Sequence, residues 1–89
     1  DYSALGVISA IKEYGLSVPG DVSVIGVSGI ASGAHFDPPL TTVACDMKRI
    51  AAVIGEGLSS LFSGGTFGVR TVSPVLIERK SVKNLQKGN

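Results

Sequence analysis

The feature that most limits what this chain can fold into is the run Val22 to Val27 (VSVIGV). It is short, nearly continuous in apolar residues and rich in β-branched side chains. A strand with one face in water alternates apolar and polar residues, whereas a strand covered on both faces of a parallel sheet does not. The run is therefore expected to be a strand buried on both faces. A helix-like stretch precedes it. Over residues 3–15, Leu5, Ile8, Ile11 and Gly15 recur at helical spacing and Val7 widens the stripe, while Lys12 and Glu13 lie off it. Gly15 is placed to stop the helix in a left-handed conformation. Pro19-Gly20-Asp21 then supplies the turn into the strand. Helix, turn and buried strand make half of a β-α-β unit, because parallel neighbours need a crossover. The pattern predicts an α/β fold with a parallel sheet and a further strand upstream of Asp1.

The rest of the chain continues that plan. Residues 28–37 (SGIASGAHFD) are small and flexible, a loop at the C-terminal end of the strand. Ligands of open α/β sheets sit at that end. Pro38-Pro39 is a stiff extended segment, and Leu40 to Val43 (LTTV) is a short strand or crossover. Asp46 is a good N-cap for a second helix over residues 47–62. Its apolar stripe is Met47, Ile50, Ala51, Ile54, Leu58, Leu61 and Phe62. Gly55 and Gly57 weaken that helix by up to about 1 kcal/mol each relative to Ala, which points to close packing against a neighbour. Ser63-Gly64-Gly65 ends it. Val69 to Ile77 reads as a last strand interrupted by Pro74, hence an edge strand or a broken one. Residues 1–82 form the structured part, and the polar residues 83–89 are expected to be an unpacked tail.

Composition adds a constraint on partners. A domain of 89 residues buries only about 60–65% of its unfolded surface, so its surface should be polar. Yet 44% of the residues are apolar and 17% charged; soluble domains are typically about 25% charged. The surplus predicts apolar faces that pack on something outside the chain. With a net charge of +1, Arg79, Lys80, Lys83 and Lys87 are the only basic cluster. That reads as a solvated tail rather than a phosphate-binding stripe. No apolar run approaches the roughly 20 residues of a membrane span. The single cysteine, Cys45, excludes an intramolecular disulfide and fits a reducing cytoplasm.

Catalytic chemistry is hard to assemble. His35 and Cys45 do not make a zinc ligand set, so neither a metal nor a cofactor is expected. Ser28, His35 and Asp37 could be written as a triad, but one loop supplies all three without rigid support, nucleophile elbow or oxyanion hole. The glycine-rich stretches 26–33 and 64–68 match neither a phosphate loop nor a dinucleotide fingerprint. The chain is read as having no catalytic residues.

The segments ALGVISAIKEYGLSVPGDVSVIGV, PPLTTV, a helix and PVLIERKSV stand here in one order, with set gaps. In this the chain resembles the C-terminal part of the effector-binding domain of LacI/GalR-family transcriptional regulators, over about residues 1–82. The resemblance implies a fragment of a two-lobed, periplasmic-binding-protein-like (type I) α/β fold with a parallel sheet. It places the first helix and the strand 22–27 in one lobe and lets Pro38 to Val43 cross to the other. The second helix then packs there, and the last strand returns. Effector contacts are implied at Asp1, Ser28, Cys45 and Met47, and a dimer surface at Leu5, His35 and Phe36. Ser28 stands where the family commonly carries an aspartate for effector hydroxyls, which puts ordinary sugar recognition in question. The implied partners are a small-molecule effector, sugar or related metabolite, and a second copy of the chain or a higher assembly. Operator DNA would be reached only through an N-terminal region outside this sequence. Two rival readings remain: a periplasmic solute-binding protein of the same fold, marked by an upstream signal peptide, and a self-standing α/β enzyme or interaction domain.

Overall fold

The computed structural model describes residues 1–88, with side chains through Gln86. It divides into two compact units, Asp1–Ala44 with Leu76–Asn89, and Cys45–Val75. The chain leaves the first unit after Ala44. The expected crossing over Pro38 to Val43 is thus displaced, because most of that segment is spent on a strand of the first unit.

In the first unit, helix α1 spans Tyr2–Glu13. It stops as Gly15 predicts. Gly15 takes φ +79°, its N–H donates to the Lys12 carbonyl, and the Leu16 N–H reaches back to Ile11 at 3.1 Å. This pair of bonds is a Schellman ending, which only a residue free to adopt positive φ allows cheaply. The Pro19 turn is tied by Asp21, whose Oδ2 accepts from Ser17 N–H at 2.8 Å and from Ser17 Oγ at 3.1 Å. Strand β1 spans Ile25–Ser28 and β2 spans Thr41–Ala44. They pair in parallel with Ile25 opposite Thr41 and Ser28 opposite Ala44. Between them the loop folds a 3-10 turn at Ala31–His35. Strand β3, Val75–Ile77, completes the order β1-β2-β3.

The core is small: Ala4 and Ile8 of α1 pack with Val24 and Leu40, flanked by Ile11, Val18 and Phe36. The buried helix face is therefore the one through residues 4, 8 and 11, while Leu5 and Val7 of the predicted stripe are exposed. The strand is also less covered than its composition predicts. Val24 and Gly26 are buried, but Ile25 and Val27 are 56% and 65% exposed. The reason lies in the sheet order. β1 is an edge strand with α1 on one face, and Ile25 and Val27 of the other face are left exposed. Ser81, fully buried, staples the chain's end to the sheet: its Oγ donates to the Val24 carbonyl at 2.5 Å and accepts from Thr41 N–H at 2.8 Å. Leu85–Gly88 forms a 3-10 turn within the segment expected to be an unpacked tail. Asn89 and the Lys87 side chain lie outside the described residues.

In the second unit, helix α2 spans Met47–Phe62, the predicted bounds. Asp46 caps it, accepting from Arg49 N–H at 3.0 Å. Gly64, at φ +84°, closes it as the N–H of Gly65 reaches back to Ser60 at 2.8 Å. The buried positions are Val53 and Gly57. Of the predicted stripe, Ile50 is half-buried, while Met47, Ala51, Ile54, Leu58, Leu61 and Phe62 are exposed. Phe67 explains the shift: its ring lies on Gly57, where an added Cβ would come within 2.5 Å of it, and Arg70 sits 5.0 Å above the ring centroid. The expectation of close packing thus holds at Gly57 and not at Gly55, around which there is open space. The last strand is shorter than its apolar run, since Val69 to Pro74 carry no strand. Proline has no N–H to give a ladder.

Candidate functional site

The C-terminal ends of β1 and β2 and the loop between them carry a polar constellation. β1 ends in Ser28, exposed, at φ 121°. A non-glycine residue in that region is strained, and such strain clusters at sites where backbone shape matters. Gly29 follows at φ 74°. Beside this turn sits Asp1, whose backbone nitrogen donates to the Val27 carbonyl at 2.9 Å. Its Oδ2 accepts from the Ile30 N–H at 2.8 Å, and its Oδ1 from the hydroxyl of Thr42 at 2.7 Å. Asp1 thereby brackets Ser28 on both sides in sequence. Gly26 makes room for it: a Cβ there would collide with Asp1 Oδ1 and come within 2.8 Å of Leu40. Gly33 does the same for Arg79, whose Nη1 donates to the Leu40 carbonyl at 2.9 Å.

The four residues implied as effector contacts divide between the units. Asp1 and Ser28 come together in the first. Cys45, exposed, and Met47, exposed at the start of α2, belong to the second. Asp1 offers little to a ligand directly, because both carboxylate oxygens are engaged within the chain. Leu5 and His35 are exposed, as a contact surface needs. Phe36, also implied for that surface, is less open. It is half-buried against the core cluster, because a large ring next to Leu40 gains more from burial than from water.

Sequence reasoning did not single out Thr42, Gly26 or the Ile30 amide. Two signals pointed to them. A glycine inside an apolar strand marks a close approach of other groups, and a threonine inside a buried strand needs a hydrogen-bond partner. Among the described residues no group of three or more His, Cys, Asp or Glu side chains is arranged to hold a metal ion. No helix there is long and apolar enough to cross a membrane.

Residues 1–82 match the family model described as periplasmic binding protein-like domain. The chain belongs to that family. Among its relatives is the HTH-type transcriptional repressor PurR of Histophilus somni (strain 129Pt), 41% identical over 90 residues, which cover 96% of this chain and 26% of that protein. The periplasmic binding protein-like chain described here therefore spans about a quarter of the length of the curated relatives it matches. Solved structures share its fold. A Lac repressor dimer bound to operator and the anti-inducer ONPF matches with TM-score 0.86 and 32% identity, over 92% of this chain and 29% of that one. A LacI-family transcriptional regulator of Arthrobacter sp. FB24 in complex with lactose matches with TM-score 0.85 and 35% identity, over 93% and 33%. The resemblance to LacI-family regulators, drawn from ordered segments, is borne out, and so is the α/β fold with parallel pairing.

Proposed function

We propose that residues 1–82 are the C-terminal part of the effector-sensing and dimerisation domain of a bacterial DNA-binding regulator, a repressor, acting in the cytoplasm and without enzymatic activity. The observation that carries this reading is the strained polar turn at the C-terminal end of β1, Ser28 and Gly29. It stands at the end of a parallel sheet where α/β folds bind ligands, on a chain whose relatives are transcriptional repressors. The effector is a small molecule, a sugar or related metabolite, met by Ser28; Cys45 and Met47 are contacts that only the family resemblance implies. Lactose in the Arthrobacter regulator supports a sugar-like ligand. A ligand that binds two states of the regulator with different affinity would shift their equilibrium. Leu5, His35 and the outer edge of Phe36 form a surface for a second copy. DNA contact is assigned to a region outside this sequence, since a net charge of +1 gives little attraction to phosphates.

The coding sequence upstream of Asp1 tests the reading. A helix-turn-helix region there is the expected result. A secretory signal peptide would replace the reading with a periplasmic solute-binding protein, and neither feature would leave a member of the same family with another role. A gel-shift titration of the 89-residue chain at physiological salt complements it. No sequence-dependent shift is expected, and specific binding would overturn the assignment of DNA contact elsewhere.

A further inference from the structure

Asp1 stands at the capping position of α1, and aspartate is among the best residues for that task. Its carboxylate nevertheless makes no capping bond. Both oxygens turn away from the helix, one to the Thr42 hydroxyl at 2.7 Å and the other to the Ile30 N–H at 2.8 Å. Hydrogen bonds to an ionised group are roughly twice as strong as neutral ones, so the diverted carboxylate grips what it touches. Thr42 is fully buried, which leaves its hydroxyl no water to turn to. Gly26 keeps open the space that the carboxylate fills. The Ile30 amide follows immediately on the two positive-φ residues, Ser28 at 121° and Gly29 at 74°. An amide anchored at that point opposes relaxation of the turn into ordinary extended backbone.

We propose that Asp1 is a positioning residue of the effector site: with Thr42 it anchors the Ile30 amide and so holds Ser28 and Gly29 at positive φ before any ligand arrives. This rests on reading that turn as effector-facing. The role assigned to Asp1 is thus indirect, exerted through Ile30 and Ser28. A turn already in its bound shape spares the ligand the cost of ordering it. The same carboxylate joins the turn to the first residue before α1 and to β2, so three elements meet in one group. Thr42 supplies the donor that fixes which way the carboxylate faces.

The test is amide exchange and scalar coupling by NMR on the ligand-free 89-residue chain, with Asp1→Asn, Thr42→Val and Thr42→Ser. Thr42→Val keeps the shape and removes the hydroxyl; Thr42→Ser keeps the hydroxyl. Exchange at Ile30 is read against the amide of Val24, bonded to Ser81 at 2.9 Å in the same unit, so that general loosening cancels. In Thr42→Val the Ile30 rate should rise about tenfold relative to Val24, as loss of one such bond implies; in Asp1→Asn, which keeps an acceptor oxygen but loses the charge, it should rise by less. The Ser28 HN–Hα coupling should grow from the small value of a positive φ toward that of extended backbone. Thr42→Ser should restore both. A Thr42→Val chain with unchanged Ile30 to Val24 ratio and unchanged coupling overturns the positioning role, as does a Thr42→Ser chain that behaves like Thr42→Val. No ligand enters this measurement, so its failure strikes Asp1 alone and leaves the sensing function to the upstream sequence.

Discussion

Ser81 shows how much one small hydroxyl carries at the scale of a residue. It is fully buried, donates to Val24 and accepts from Thr41, and so joins the segment after β3 to β1 and β2 at once. Ser81→Ala strands a buried carbonyl and a buried N–H, and should cost about 2 kcal/mol of unfolding free energy. Urea titration of the pair measures it; a loss near zero would show that water takes over both groups. Ser28 presents the opposite case. At φ 121° it carries a side chain where glycine is the unstrained choice. Ser28→Gly should therefore stabilise the chain, by about 1 kcal/mol after the extra chain entropy of glycine is subtracted. A lower denaturation midpoint for that variant would mean that the hydroxyl, not the backbone, decides the position. On the proposed function such strain is retained for the ligand's sake.

Helix α2 contains two glycines of one sequence pattern and two meanings. Gly57 lies under the Phe67 ring and Gly55 faces open space. Alanine at residue 55 adds helix propensity and meets nothing, so Gly55→Ala should raise stability by up to about 1 kcal/mol. Alanine at residue 57 gains the same propensity but drives a rigid ring off the helix, with the Arg70 contact above it. Gly57→Ala should therefore lower stability, since overpacking typically costs about 1–3 kcal/mol. Thermal melting of both variants separates the cases by sign, and shifts of equal sign would refute the packing of Phe67 on this helix. The predicted stripe of α2 is real as a pattern. Within this chain, however, the extended segment after the helix covers a neighbouring face, and Ile54, Leu58, Leu61 and Phe62 are left exposed.

Across the whole molecule the apolar surplus reappears as uncovered faces: Ile25 and Val27 on edge strand β1, and the outer stripe of α2. Each large apolar side chain left in water forgoes roughly 1.5–3 kcal/mol, and an unpaired edge without charged gatekeepers recruits other strands. The chain by itself should therefore associate. Light scattering at micromolar concentration is expected to give a mass above that of one chain. Replacing Val27 by Lys, which places a charge on the exposed edge, should shift the population toward monomer. A clean monomer with a cooperative thermal transition would instead mean that these faces are tolerated in water and that the chain is self-sufficient.

Local chemistry was enough to determine the helices' endings, because Gly15, Asp46 and Gly64 act on backbone groups within a few residues of themselves. It was enough, too, for the parallel pairing of the β-branched run and for the family, which is carried by ordered short segments. What covers each element was not legible. Whether Val27 or Val24 is buried, whether α2 shows one face or another, and whether Phe36 joins the core depend on neighbours distant in sequence, which periodicity does not name. The candidate site divided in the same way. Ser28 came from the family resemblance, whereas the diversion of Asp1 from helix cap to clamp required Thr42, 41 residues away in sequence, to be brought within hydrogen-bonding distance. Only the tertiary structure decides that, because a carboxylate bonds whichever donors the fold sets beside it.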